Sequence, residues 1–463
     1  MVGRTLGLQL LTAGVTVVLA RVLTPADYGL FAIALSVQMV GQRAAELGLP
    51  AALVRMDEEP SPHLQRAILG FLMITSLGLA IALLLAAFAV APALGEHGRT
   101  FKVIAIATCA IPFYAARAIP MALMERELRF GRVAVVETAD TLAFNGFALL
   151  AALAGLGAFS LSGAVAVGAI AGMSAAWALQ PFARRPSLDL GPVRPLVGFG
   201  VQVSLLQGVY LLRELGFVTL IAGIGGTSVA GFYAMAKRLF SFPIALTSAV
   251  GRVAFPALSR EPEKRYARAA AAASYTAIAA GLPLALVAGA IHPLIGVVLG
   301  SEWQPTADIV LLGSLGMMLI ASADATMISL ALAEGKPRKP LVAAVAETTV
   351  SLVLVVALIG PLDEAGIGLT MTISAIVATA VLAWSAHGHV VRALGAVAKA
   401  SLIAAIAVGA GQLAGSGESA LDLVLSLAAV TVVWVTFEAI FSRADMVRIL
   451  GIVRPLLRRA LPI

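Results

Sequence analysis

Apolar runs recur along nearly the whole chain, separated by short polar or Gly/Pro turns, and most have the roughly 20 residues that carry a helix across a hydrocarbon core of ~30 Å. The pattern predicts helices over 5–23, 27–50, 67–91, 101–125, 132–155 and 160–182, then over 197–223, 229–255, 268–299, 305–333, 340–360 and 364–386, and last over 397–415 and 420–441. These make about fourteen transmembrane helices, followed by a basic, partly amphipathic tail from Arg443 to Ile463. Pro112, Pro120, Pro243, Pro283 and Pro293 fall inside long spans, where proline frees backbone carbonyls and kinks or breaks a helix. The expected fold class is an all-α polytopic membrane protein.

One stretch is written twice. LARVLTPADYGLFAIA, over 19–34, is a helix end, a Thr-Pro turn and the start of a second helix. An offset of 202 residues lays Gly231 over Gly29, and with it Ala222, Ile224, Tyr233, Ala234 and Ala236 over Ala20, Val22, Phe31, Ala32 and Ala34. Further on, ALMEREL from Ala122 and ALAEGKP from Ala331 both close a fourth span. An even number of spans per repeat gives both halves one orientation, related by an axis along the membrane normal with a substrate path between them near the midplane. The expected domains are an N-terminal six-helix lobe over 1–185, a C-terminal six-helix lobe over 196–390, two additional helices over 396–441 and a basic cytoplasmic tail over 442–463. At the same offset residues 197–206 align at or ahead of Arg4, so the first span reads as shortened or its start as assigned late.

Composition sharpens this reading. Of 463 residues 60% are hydrophobic and only 12% charged, about half the roughly 25% a soluble domain uses to cover its surface. The net charge of +7 suits a membrane protein whose cytoplasmic loops carry excess Lys and Arg better than it suits a nucleic-acid partner. With the N-terminus in the cytoplasm, about 23 basic residues fall on the inner side, among them Arg126, Arg129, Arg132, Arg184, Arg185, Lys336 and Lys339, against about 2 outside, Arg99 and Lys102. Both termini are therefore expected inside. No signal-peptide order precedes the first run, which reads as a retained span. The single cysteine, Cys109, excludes an intramolecular disulfide and reads as a small buried hydrophobe.

Charges inside the spans are the candidate chemistry, because each costs about 2.5–3.5 kcal/mol at the bilayer centre on insertion scales and persists where it faces a partner or a cavity. Arg43 and Glu46 are three apart on one helix face and are expected to pair, and Arg252 and Glu438 to reach the inner surface. Arg21, Arg117, Arg213, Lys237 and Arg238 are the candidate cationic residues of a cavity. Glu137, Asp140, Thr141 and Asn145 form one polar stripe that suits either a cavity or hydrogen bonding between helices. Asp140, Glu214, Asp324 and Glu347 are acids that a proton or Na⁺ could neutralise. GIGGTSVAG over 223–231 lacks the preceding strand of a phosphate loop, and His387 with His389 lacks nearby carboxylates for a metal. No catalytic group, metal or cofactor is expected beyond H⁺ or Na⁺ coupling.

At LARVLTPADYGLFAIA, AELGLPAALVR (Ala45–Arg55) and ERELRFGRVAVVE (Glu125–Glu137) the chain resembles the polysaccharide-exporter branch of the MOP superfamily, which contains bacterial lipid-linked oligosaccharide flippases. The resemblance implies two pseudo-symmetric six-helix bundles around a central cavity plus two extra helices, in the bacterial inner membrane. It implies a cargo of undecaprenyl-pyrophosphate-linked oligosaccharide, moved by alternating access for O-antigen, exopolysaccharide or capsule assembly, with a polymerase and glycosyltransferases as pathway partners. An arginine fork suits a pyrophosphate in a low-dielectric cavity. Two alternatives are a cation-coupled multidrug exporter of the same superfamily and a non-transporting scaffold of a polysaccharide-assembly complex. Twelve spans are usual in the multidrug branch, so the pair after residue 390 and the LTPADYG hairpin count against the first.

Overall fold

The structure is a computed structural model that describes residues 2–56, 58–94, 97–260, 265–336, 338–385 and 391–442. It is all-α, with no strand among the described residues. Among the described residues ten helices are long and apolar enough to cross a membrane, so the protein is a multi-pass membrane protein. One of the ten, Arg338–Trp384, is 47 residues long and has the length of two spans. By contacts the chain divides into two compact bodies, Arg4–Gly231 and the described residues from Phe232 onward. His387, His389 and the tail after Ser442 lie outside the described residues.

The first body holds α1 (Val2–Val22), α2 (Pro25–Glu46), α3 (Leu49–Arg55), α4 (Pro62–Val90), α5 (His97–Thr108), α6 (Ile111–Arg126), α7 (Phe130–Leu153), α8 (Ala158–Leu179), α9 (Arg194–Gly225) and the first turn of α10 (Thr227–Arg260). The Thr-Pro turn starts α2 for a local reason. Thr24 caps the helix, its Oγ1 accepting from the Asp27 N–H at 3.3 Å while Asp27 Oδ2 accepts from the Thr24 N–H at 3.1 Å. Pro25 occupies the first turn, where a missing N–H costs nothing. Gly155 and Gly157, both with positive φ, turn α7 into α8.

The span expected over 101–125 is two helices, with Cys109 and Ala110 in the break and Pro112 opening the second. That break corrects the reading of Cys109. The thiol is exposed, and Ala110, fully buried beside it, takes the inward position. Glu438 is also corrected: it does not reach the surface but is fully buried.

At its Thr24 end the first body is closed by glycine. A Cβ on Gly29 would overlap the carbonyl oxygen of Thr227, and a Cβ on Gly231 would overlap that of Pro25. The 202-residue offset exchanges Gly29 with Gly231 and Pro25 with Thr227, so the contact maps onto itself when the two hairpins are swapped. Backbone meets backbone there, and no side chain fits between.

The second body continues α10 and adds α11 (Arg265–Gly289), α12 (Ile291–Leu294), α13 (Thr306–Leu319), α14 (Ala325–Ala333), α15 (Arg338–Ser385), α16 (Val391–Ala414) and α17 (Ala420–Phe441). Asp363 (φ 47°, ψ −130°) breaks α15 beside Pro361, where two separate spans were expected. α13 packs on the second half of α15 through Gly316, whose N–H donates to Thr372 Oγ1 at 3.1 Å. α16 docks on α11 at Gly411, where a Cβ would come 2.7 Å from the Gly289 carbonyl oxygen. Gln412 Nε2 holds that contact, donating to Ala288 O at 2.8 Å and Gly289 O at 3.1 Å. Beyond α14, the Glu334 carboxylate accepts from Tyr266 Oη at 2.9 Å and Lys336 Nζ at 3.0 Å, with Lys339 Nζ 3.7 Å away. Burial raises the Glu334 pKa, but the hydrogen bonds from Lys336 and Tyr266 and the charges of Lys336 and Lys339 outweigh it and leave the pKa below the ordinary value.

Gly29→Val or Gly231→Val forces two backbones apart and should lower the thermal stability of the purified protein, by at least the roughly 1–3 kcal/mol of an overpacked core. Gly146→Val, with nothing near its added Cβ, should cost far less. Because the Glu334 pKa is depressed, its contribution is complete above the ordinary carboxylate pKa and is lost as pH falls through the lowered value. Melting curves of the wild type and Glu334→Gln should therefore differ at neutral pH and converge in acid.

Candidate functional site: charges within the spans

Two acids of the first body, one buried and one half-buried, show how differently a charge can be held. Asp27, 7% exposed at its side chain, is saturated. Its Oδ1 accepts from the Ala158 N–H at the start of α8 at 3.0 Å and from Arg99 Nη2 on α5. Its Oδ2 accepts from the Thr24 N–H at 3.1 Å and from Thr24 Oγ1 at 2.9 Å. The carboxylate thus caps two helices and pairs with a third, which is a structural role.

Asp140 on α7 is held otherwise. Its Oδ2 accepts from Arg117 Nη1 on α6 at 2.5 Å, and the two side chains are 20% and 18% exposed. The guanidinium also lies 4.7 Å from the centre of the Tyr114 ring. α8 makes room with two glycines one turn apart. A Cβ at Gly168 would come 2.5 Å from Asp140 Oδ1, and one at Gly172 would overlap Arg117 Nη1. One turn further along α7, Asn145 Nδ2 donates to Thr12 Oγ1 of α1 at 3.3 Å and to Thr141 O at 2.8 Å. The polar stripe of α7 therefore links helices at Asn145 and holds a cation at Asp140.

Of the candidate residues, the structure brings Arg117 and Asp140 together. Arg21 lies in the last turn of α1, where a cation complements the helix dipole, and is exposed. Arg213, half-buried on α9, lies 5.5 Å from the centre of the Tyr210 ring, with half-buried Glu214 next to it. In the second body Lys237 is exposed and 5.7 Å from the Tyr233 ring centre, and Arg238 is half-buried. Asp324 is buried in the π-turn Ile320–Asp324 and its Oδ1 accepts from Thr379 Oγ1 at 2.8 Å. Glu347 is buried on α15. Arg43 and Glu46 pair at 3.3 Å. Among the described residues no group of three or more His, Cys, Asp or Glu could hold a metal.

Sequence reasoning missed the tyrosines. Each of Arg117, Arg213 and Lys237 follows a tyrosine by three or four residues, the spacing that stacks side chains on one helix face. That spacing was legible. Gly168, Gly172 and Arg99 carried no comparable signal, because their partners are on other helices.

An all-helical fold with charges embedded in its spans defines a class of multi-pass membrane proteins. The chain belongs to the polysaccharide biosynthesis protein family, whose model matches residues 18–308. It is 27% identical over 303 residues to the succinoglycan biosynthesis transport protein ExoT of Rhizobium meliloti (strain 1021), a match covering 65% of this chain and 60% of that protein. The chain thus matches about three-fifths of that relative's length. Its fold is that of a lipid II flippase MurJ structure in an inward closed conformation, with TM-score 0.78 at 14% identity over 96% of this chain and 98% of that one. An inward-facing multidrug resistance MATE family transporter of the MOP superfamily is less similar, with TM-score 0.55 at 13% identity over 84% and 93%.

The saturation of Asp27 gives a direct expectation. Asp27→Ala removes the acceptor of the Ala158 N–H and the carboxylate facing Arg99, and should lower unfolding free energy by roughly 2–4 kcal/mol in a denaturant titration. Asp27→Asn keeps the cap and should lose less.

Proposed function

We propose that this protein is a flippase that carries an undecaprenyl-pyrophosphate-linked oligosaccharide from the inner to the outer leaflet of a bacterial inner membrane, for O-antigen, exopolysaccharide or capsule assembly. The family match is the observation that carries the reading, because it spans more than half of the chain. The name of the succinoglycan transport relative and the fold shared with the lipid II flippase support it. In this reading both termini lie in the cytoplasm, which the distribution of loop charges supports.

In this reading Arg21, Arg117, Arg213, Lys237 and Arg238 supply the cations that bind pyrophosphate during alternating access. An arginine fork matches two phosphate oxygens at once, and low dielectric strengthens the contact. Asp140, Glu214, Asp324 and Glu347 are the acids through which H⁺ or Na⁺ would drive the cycle. A polymerase and glycosyltransferases of the same pathway would deliver and consume the cargo. No catalytic chemistry is assigned to the chain.

The likeness to MATE structures supports a second reading, a cation-coupled multidrug exporter, at a lower TM-score than the flippase. A third, a non-transporting scaffold of an assembly complex, would leave export intact when the intramembrane charges are neutralised. Deleting the gene should cause lipid-linked oligosaccharide to accumulate on the inner leaflet; its absence would remove the flippase reading. Arg213→Ala should cut polymer export to below about a tenth of wild type at normal protein level, the loss of one charge-assisted contact or more. Normal export from that variant would remove Arg213 from the site.

A further inference from the structure

The Arg117–Asp140 pair is bonded at one point only. Among the described residues, Arg117 Nη1 to Asp140 Oδ2 is the single hydrogen bond of either side chain. A guanidinium has five N–H donors and a carboxylate four acceptor sites, so most of the capacity of this pair is unused. Asp27, in the same body, uses both of its oxygens twice. Nor are the unused atoms sealed in: none is among the fully buried polar atoms that lack a partner. Each side chain keeps about a fifth of its surface open. Unused guanidinium donors turned to lipid would be costly, so the opening faces water or a polar ligand.

The surroundings leave the guanidinium somewhere to go. Gly168 and Gly172 place no side chain against the pair, and the Tyr114 ring offers a face on which a guanidinium slides without losing its attraction. An oxyanion arriving at the open side can take the unused donors first and the Asp140-bonded donor last.

We propose that Asp140 is an internal counter-ion of Arg117, displaced when Arg117 binds a phosphate or pyrophosphate oxyanion. The proposal rests on the flippase reading and adds a regulation to it. With the site empty, Asp140 keeps the intramembrane cation neutralised. With cargo bound, the phosphate oxygens take the guanidinium, and Asp140 recaptures it as the cargo leaves. Asp140 is a positioning residue, and the competition it exerts keeps binding weak enough for release.

The test uses the purified full-length protein in nanodiscs, with inorganic pyrophosphate, a polyprenyl pyrophosphate and an uncharged polyprenol as probes. Removing the competitor in Asp140→Asn should tighten pyrophosphate binding by about ten- to a hundredfold, the worth of one charge-assisted hydrogen bond, and slow export. The double variant Arg117→Gln/Asp140→Asn, which strands no charge, should fold and lose that gain. Tightening with inorganic pyrophosphate would assign the effect to the headgroup alone, and tightening only with the polyprenyl form to a lipid-delivered one; the polyprenol should show none. The charge swap Arg117→Asp/Asp140→Arg should restore protein level but not export. Unchanged affinity in Asp140→Asn, or full export from the swap, would make the pair purely structural and overturn the proposal while the flippase reading stands. A deletion strain without inner-leaflet accumulation would overturn both.

Discussion

Every polar group that this chain takes into the membrane must find its partner within the protein, and one carboxylate meets that demand most fully. Asp27 accepts four hydrogen bonds, caps α2 and α8 and pairs with Arg99 on α5. Three helices are thereby tied at one point, where neither lipid nor an apolar side chain could satisfy the same donors. One turn away Gly29 lets the backbone at Thr227 approach as closely as atoms allow. The Thr-Pro-Ala-Asp-Tyr-Gly turn therefore does two jobs. It fixes where three helices begin or bend, and it presents a bare backbone to its own repeat.

The same demand separates structural charges from available ones. The carboxylates of Asp27 and Glu334 are each surrounded by donors, and their energy goes into holding elements together. Arg117 and Asp140 hold each other by one bond in a niche cleared by two glycines. An ion pair of that kind is weak evidence for stability, since removing two ions from water costs about as much as their attraction returns. It suits a group that must be released. The repeated placement of a tyrosine one helical turn before a cation, at Arg117, Arg213 and Lys237, sets an aromatic face of the same helix beside each charge.

Periodicity and turn chemistry made much of the fold legible. The Thr-Pro turn that starts α2 followed from local rules. Breaks inside spans were harder to read. Pro112 announced a disruption, but only the structure showed that the chain resets there and turns Cys109 outward. Proline states that a hydrogen bond is missing, whereas neighbouring helices decide which way the freed turn faces. Glu438 was misplaced for a related reason: closeness to a helix end permits snorkelling, but α17 turns that face of the helix inward.

By itself the sequence determined that the protein is helical and membrane-embedded, that a hairpin recurs at a spacing of 202 residues and which charges lie within spans. Those properties rest on hydrophobic length, turn residues and local spacing, all of which are encoded within a few residues of one another. Only the tertiary structure decided which charges are saturated and which are not. Asp27 and Ala158 are 131 residues apart, and Arg117 and Asp140 belong to different helices. Helix rotation and packing bring such pairs together, and no local pattern specifies the rotation. The two hairpin glycines show both levels at once. Their spacing is written in the chain, but the reason for glycine, a backbone oxygen where a side chain would begin, exists only once the helices have packed.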